Sequence, residues 1–119
     1  MIDYKTNNGK LEFIISKIED KKGEEIKILN LQTIENSVAD YFVICTANSK
    51  IQAQTISDHL IKELRTFKKI KPLSVEGEAN AFWILLDYGD IIVHIFQPEY
   101  RKFYNLEDLW GESIIEITK

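Results

Sequence analysis

Four carboxylates in the C-terminal half have the spacing closest to that of a catalytic or metal site. Asp87 and Asp90 flank a Tyr-Gly dipeptide, and Glu76 and Glu78 precede them. A close carboxylate pair can hold a divalent cation or act as an acid–base dyad. A phosphoryl-transfer site also needs a cradle for the phosphates, and the sequence contains no glycine-rich phosphate loop. The spacing therefore favours turn residues over a metal pair.

Nucleophiles and histidines are too few for a known catalytic motif. The chain has two histidines, His59 and His94, and one cysteine, Cys45. The motifs HExxH, CxxC, GxSxG and GxGxxG do not occur in the sequence. Cys45 lies in an apolar run, where a thiol is poorly ionised and inert. We therefore predict no catalytic residue, metal ligand, cofactor or small-molecule substrate.

Charge is unevenly distributed along the chain. Residues 1–75 carry 12 Lys/Arg and 10 Asp/Glu, whereas residues 76–119 carry 3 and 9. The acidic C-terminal part argues against phosphate binding there and suits a basic protein partner. One basic cluster is predicted to be a solvated helix face, because its single aromatic residue, Phe67, is assigned to the core; contact with RNA is the alternative. The cluster consists of Lys62, Arg65, Lys68, Lys69 and Lys71.

Hydrophobic periodicity predicts the elements that must position these residues. Apolar positions repeating every 3 to 4 residues mark helices, and short apolar or β-branched runs mark strands. The predicted elements are a helix at 8–22, strands at 26–31 and 40–46, a helix at 50–67, strands at 72–76, 82–87 and 90–96, a helix at 98–104 and a turn at 106–110. This order, αββαβββα, is typical of an α/β fold with a mixed sheet of about five strands and helices packed on it. The strands at 40–46 and 72–76 are expected to be parallel, because a helix connects them.

The last two strands should form a hairpin with one core face and one mixed face. With Tyr88–Gly89 as a two-residue loop, Trp83 pairs with His94. Because side chains alternate along strands, one face is purely apolar and carries Phe82, Ile84, Leu86, Ile91, Val93 and Ile95. The other face carries Trp83, Leu85, Ile92, His94 and Phe96. That second composition is typical of a protein interface; the alternative is that a helix covers this face and His94 is a core histidine.

Length and hydropathy indicate the number of domains and whether the chain has a signal peptide or a membrane span. The 119 residues are expected to form one domain, with residues 1–7 flexible and 112–119 a possible tail. The N-terminus has no apolar signal-peptide core, and no window of 18 uninterrupted apolar residues occurs. We expect a soluble, cytoplasmic protein that does not insert into a membrane.

Three motifs follow one another in order along the chain. The first is DYFVICTANS at 40–49; the second is EG at 76–77 followed by WILLDYGDIIVHIF at 83–96; the third is RKFYNLEDLW at 101–110. Together they resemble the motifs of one known family, the ribosomal silencing factors (RsfS, also called Iojap). The match extends from about residue 11 to residue 111. The resemblance implies a nucleotidyltransferase-like fold that lacks the catalytic glycine-serine and aspartate motif, which this sequence lacks as well.

The resemblance also implies a function. Such proteins bind the large ribosomal subunit through its ribosomal protein number fourteen, a basic protein beside the intersubunit face. They obstruct joining of the small subunit and repress translation, notably under starvation. By position in the motifs, the residues expected to bind the partner are Trp83, Leu85, Asp87, Asp90, His94 and Arg101. A nucleotidyltransferase-like enzyme and a ribosome-assembly factor that binds RNA are the alternatives, and peripheral contact with ribosomal RNA and a homodimer are further possibilities.

Overall fold

A computed structural model describes residues 9–109 and the backbone of residues 114–116. In chain order the helices are α1 (Lys10–Asp20), α2 (Lys50–Glu63), α3 (Pro98–Tyr104) and α4 (Leu106–Leu109), and a π-helical turn, Leu64–Lys68, prolongs α2. The strands are β1 (Glu24–Asn30), β2 (Tyr41–Thr46), β3 (Ser74–Glu76), β4 (Trp83–Asp87), β5 (Ile91–Phe96) and β6 (Ile114–Glu116). The predicted order αββαβββα is confirmed, and α4 and β6 extend it.

Helix α2 begins where its sequence contains a capping box. The hydroxyl of Ser49 accepts a hydrogen bond from the backbone N–H of Gln52 at 3.0 Å. The Gln52 side chain in turn accepts one from the backbone N–H of Asn48 at 2.7 Å. The first bond satisfies a donor that the first helical turn otherwise leaves unpaired, and the second pairs the N–H of the residue before the N-cap. The predicted start of the helix is thereby confirmed.

The six strands form one mixed sheet in the order β3-β4-β5-β2-β1-β6. Only β2 and β5 are parallel neighbours; all other neighbouring pairs are antiparallel. Strands β2 and β3 run in the same direction, as expected from their helical crossover, but β5 and β4 lie between them. The burial of each strand explains this order. Every residue of β2 and β5 is buried, as central strands require, whereas β3 is short and largely exposed, as suits an edge.

The strand count is six rather than about five. The additional strand is β6, which pairs with β1 and lies within the segment predicted to be a possible tail. Trp110 and Gly111, which end the predicted final turn, lie outside the described residues, as do residues 1–7. None of the helices within the described ranges has the length and apolarity needed to cross a bilayer.

The sheet has an apolar core on each face. On the first face, α1 and α2 cover the strands, and the buried residues include Leu11, Ile56 and Val93. On the second face, residues 31–39 and the helices α3 and α4 provide the cover, and Phe42 and Phe96 belong to this core. The second face is the mixed face of the hairpin predicted from the sequence. Two short helices and a loop cover less area than two long helices, so this face keeps partly exposed aromatic residues.

The hairpin faces were predicted correctly, but its register was wrong by two residues. Trp83 pairs with Phe96, and Leu85 pairs with His94. The loop consists of Gly89 and Asp90 rather than Tyr88 and Gly89, because a tight hairpin loop needs a positive φ at its first position. Gly89 adopts φ +87° there, a conformation that is unfavourable for tyrosine. A shift by two residues preserves the alternation of side chains, so each strand residue stays on its predicted face.

Two residues assigned to the core are exposed. Phe67 is 63% exposed, because the wider π-helical turn rotates it away from the apolar stripe of α2. Phe82 is 42% exposed and stacks on Tyr100, with ring centroids 4.4 Å apart. It precedes the first residue of β4, and the preceding residue, Ala81, has φ +58°. The strand alternation therefore does not extend to Phe82.

Candidate docking surface

A hydrogen bond between Trp83 and His94 organises the second face of the sheet. The indole Nε1–H of Trp83 donates to Nδ1 of His94 at 3.0 Å. His94 is only 3% exposed, and burial lowers its pKa to about 3. The ring is therefore neutral, and because Nδ1 accepts, the proton lies on Nε2. Nε2 has no hydrogen-bond partner among the described residues. His94 thus acts as a fixed acceptor beneath Trp83 and offers no contact surface of its own.

Trp83 is the centre of an aromatic cluster. Its ring stacks on Phe96 at a centroid distance of 4.9 Å and contacts Tyr104 at 4.7 Å. Phe96 is fully buried, whereas Trp83 is half-buried and Tyr104 is 49% exposed. On α3, Phe103 is 79% exposed. Large apolar side chains exposed together mark interaction sites more often than scattered ones do.

These residues line a shallow groove, which we call the aromatic groove. It consists of Phe82, Trp83, Leu85, Tyr100, Phe103 and Tyr104. Three depressions of about 310, 180 and 280 Å³ follow one another along it, from β4 to α3. Glu76 lines one end and Glu99 the other. An aromatic floor with acidic ends suits a partner that presents apolar side chains beside basic ones.

Gly77 shapes the wall of this groove. It adopts φ +84°, and a Cβ at this position would collide with the carbonyl oxygen of Trp83. The glycine therefore lets the segment before β4 pack directly against the backbone of Trp83. Gly77 is thus required for the close packing of the backbone beside the groove.

Asp87 and Asp90 have separate structural partners. The Asp87 carboxylate accepts a hydrogen bond from the backbone N–H of Gly89 at 2.8 Å, which closes the turn. The Asp90 carboxylate forms an ion pair with Lys10 at 2.8 Å and so joins α1 to the hairpin. The part of the chain that the structure describes contains no group of three or more potential metal ligands. Each carboxylate already has a partner, which supports the reading of both as turn residues.

Arg101 is 7% exposed and holds α3 against the sheet. One terminal nitrogen, Nη1, donates to the carbonyl of Glu25 at 2.7 Å and to the hydroxyl of Thr46 at 2.8 Å. The Nε–H and one N–H of Nη2 donate to the two carboxylate oxygens of Glu107, at 3.0 and 3.2 Å. Burial raises the pKa of Glu107, but its contacts with Arg101 and Lys27 more than reverse this effect and lower the pKa overall. Arg101 borders a polar depression of about 460 Å³, yet four of its five N–H donors are already engaged.

Known proteins resemble this chain in both sequence and structure. Residues 4–119 match the family model described as "Ribosomal silencing factor during starvation". The chain is 38% identical over 108 residues to the ribosomal silencing factor RsfS of Halalkalibacterium halodurans, covering 91% of each chain. It is 40% identical over 103 residues to the RsfS of Bacillus subtilis, covering 87% of this chain and 86% of the relative. A crystal structure from Bacillus halodurans superposes with a TM-score of 0.78 at 36% identity, over 93% of this chain and all of that one.

The chain belongs to the RsfS family. Its mixed α/β fold is the fold of that family, and its relatives are named as silencing factors rather than as enzymes.

The structure brings together only part of the predicted RsfS site. Trp83, Leu85 and His94 lie side by side on the second face, with His94 beneath the surface. Asp90 directly precedes β5, whereas Arg101 contacts Thr46, which pairs with Phe96 at the other end of β5. The six residues of β5 span about 20 Å at 3.3 Å per residue. One small contact area cannot include both.

The sequence reasoning missed four residues of the aromatic groove: Phe82, Tyr100, Phe103 and Tyr104. The sequence feature that could have indicated three of them is the density of aromatic residues in the segment 100–104. Tyr100 and Tyr104 are spaced i, i+4 and so share one face of α3. Their exposure became apparent only from the packing of α3 on the sheet.

Proposed function

We propose that this protein is a cytoplasmic repressor of translation that binds the large ribosomal subunit and blocks joining of the small subunit. The proposed partner is ribosomal protein number fourteen, the basic protein at the intersubunit face. Membership of the RsfS family supports a role in ribosome silencing. The single observation that carries the docking part of the proposal is the aromatic groove.

The composition of the groove supports a protein partner. Trp and Tyr are enriched at the binding hot spots of interfaces, where they fill pockets and exclude water. Trp83 is held in one orientation by His94 and Phe96, so little conformational entropy remains to be lost on binding. Glu76 and Glu99 at the ends of the groove match a basic partner.

The proposed mechanism is steric exclusion and involves no chemical step. The protein measures 34 × 34 × 25 Å, which is large enough to separate two surfaces that must otherwise touch. Asp87 and Asp90 are proposed to lie at the rim of the docking surface, at the hairpin tip. His94 and Arg101 are proposed to act from inside, by fixing Trp83 and α3 respectively.

Sedimentation with ribosomal subunits tests this proposal. The purified protein should co-sediment with large subunits from its own organism and lower the yield of joined ribosomes. The double variant Phe103→Ser/Tyr104→Ser should lose both effects, since removal of hot-spot side chains costs about 2 kcal/mol or more each. The control, Ile51→Ser, removes an exposed apolar side chain from α2, which lies on the opposite face of the sheet, and should behave as the wild type. A wild-type protein that stays at the top of the gradient would refute the proposal.

Binding to isolated ribosomal protein number fourteen tests the named partner separately. A titration followed by tryptophan fluorescence should report contact near Trp83. If the protein binds large subunits but not this ribosomal protein, the partner is wrong and the silencing role stands.

A homodimer is a further proposed assembly. The edge strand β3 has exposed residues at both ends, and its outer side, which no strand of the described residues pairs with, could be extended by a second copy. Sedimentation equilibrium over a range of concentrations measures this directly, and a concentration-independent monomer mass would exclude the dimer.

A further inference from the structure

A basic turn follows helix α2 on the first face of the sheet, opposite the aromatic groove. It consists of residues 62–71 and includes the π-helical turn Leu64–Lys68. Isolated π-helical turns are rare and occur frequently at functional sites. Here the turn has a specific consequence. It removes Phe67 from the apolar stripe of α2 and leaves it 63% exposed.

The turn concentrates positive charge. Its five cations are Lys62, Arg65, Lys68, Lys69 and Lys71, and its one acidic residue is Glu63, which faces Lys17 at 3.6 Å. Within residues 9–109, none of the five cations forms an ion pair with a carboxylate, and all five are exposed. The Nζ of Lys69 donates only to the carbonyl of Thr66. These charges are therefore available to an anionic partner.

The local charge is opposite to that of the whole protein. The chain has a formal net charge of −4, but charges more than about 10 Å apart are largely screened at 0.1 M salt. The protein extends over 34 × 34 × 25 Å, so much of its acidic surface lies beyond that distance from the turn. A polyanion approaching residues 62–71 therefore meets a positive surface.

An aromatic pair lies within this positive surface. The rings of Phe67 and Phe13 are tilted against each other with centroids 6.3 Å apart. The Nζ of Lys68 lies 5.2 Å from the Phe13 centroid. Phe13 is only half-buried, so the ring of Phe67 has an aromatic neighbour on one side and solvent on the other. Exposed rings flanked by cations are the surface on which proteins stack unpaired bases.

We propose that the basic turn binds RNA that contains unpaired nucleotides, with its cations on the phosphates and a base stacked on Phe67. An acidic protein would be attracted by the same charges but would gain little from an exposed phenyl ring. The proposal does not rest on the docking function, because the basic turn and the aromatic groove lie on opposite faces of the sheet.

Fluorescence anisotropy with free protein and a labelled oligouridylate tests the proposal without ribosomes. Binding should weaken as salt rises from about 50 to about 200 mM. Each phosphate contact contributes about −0.7 to the log–log slope for a single strand, so five contacts give about −3.5. The double variant Lys68→Gln/Lys71→Gln should reduce the slope to about −2. The control, Lys50→Gln/Lys102→Gln, removes the same charge from exposed positions elsewhere and should leave the slope unchanged.

Phe67→Ala separates base stacking from general attraction of a polyanion. Loss of one stacked base should weaken oligouridylate binding by roughly five- to a hundredfold. Polyglutamate, a polyanion without bases, should bind the wild type and Phe67→Ala equally. Circular dichroism should be unchanged, since the ring is largely outside the core. The proposal is overturned if oligouridylate fails to bind at about 50 mM salt, or if it binds Phe67→Ala as tightly as the wild type. Equal affinity for polyglutamate and oligouridylate would instead indicate an acidic protein as the partner and would equally overturn it.

Discussion

Lowering the pH from 7.5 to 5 should reduce the free energy of unfolding by about 2 kcal/mol through His94 alone. In the folded protein, burial lowers the pKa of His94 to about 3, from an ordinary value of 6.5. Because the folded-state value is the lower one, the unfolded chain takes up the proton first. The contribution of neutral His94 to stability is therefore complete above pH 6.5 and is lost as the pH falls below that value.

The magnitude follows from the difference between the two states. At pH 5 the unfolded histidine is almost fully protonated, whereas the folded one stays neutral. The loss is about 1.4 kcal/mol for each pH unit below 6.5, which gives roughly 2 kcal/mol at pH 5. The slope should continue towards pH 3, where the folded state also begins to bind the proton.

Urea unfolding of the wild type and of His94→Gln, each at pH 7.5 and pH 5, isolates this effect. Glutamine can accept the Trp83 hydrogen bond but does not titrate, so the variant keeps the polar contact and loses the pH dependence. His59 and all carboxylates are common to both proteins, and their contributions cancel in the difference. If the wild type and the variant lose stability equally, to within about 0.5 kcal/mol, then His94 titrates normally in the folded state. The description of His94 as a buried, neutral acceptor would then be wrong.

Two substitutions and one labelling reaction test the packing around the site. Arg101→Met should lower the free energy of unfolding by about 3 kcal/mol in urea titrations, because it leaves Glu107 partly buried without its main partner; an effect under 1 kcal/mol would contradict the role of Arg101 in holding α3. Gly77→Ala should cost more than 2 kcal/mol by the same measurement, since its Cβ would meet the carbonyl of Trp83, while Gly9→Ala, which meets no atom within 4 Å, should cost about 1 kcal/mol. Cys45 is fully buried and burial raises its pKa to about 12, so a thiol reagent should label it only in denaturant; rapid labelling of the native protein would show that β2 opens.

The faces of the hairpin were predictable because they depend on a local rule. Side chains alternate along β4 and β5, so an error of two residues in the predicted register left each side chain on its correct face. The register itself could also have been predicted. A two-residue loop favours glycine at its first position, which points to Gly89 rather than Tyr88.

The exposure of Phe67 could not be predicted from periodicity. A regular α-helix places it in line with Leu60 and Leu64, at the spacing of a core stripe. The π-helical turn changes the rotation per residue, and the local sequence pattern does not predict this turn. The same holds for Arg101, whose burial depends on Glu25, Thr46 and Glu107, residues contributed by three other elements.

The sequence by itself determined the order of the elements from α1 to α3, most of their apolar faces and the resemblance to one family, because these depend on local periodicity and on ordered motifs. The tertiary structure decided which side chains are accessible. It placed His94 beneath Trp83, removed Phe67 from the core and exposed the aromatic residues of α3. Accessibility is set by elements that are distant in the chain and adjacent in space. For that reason the proposed docking surface includes residues that the motifs alone did not indicate.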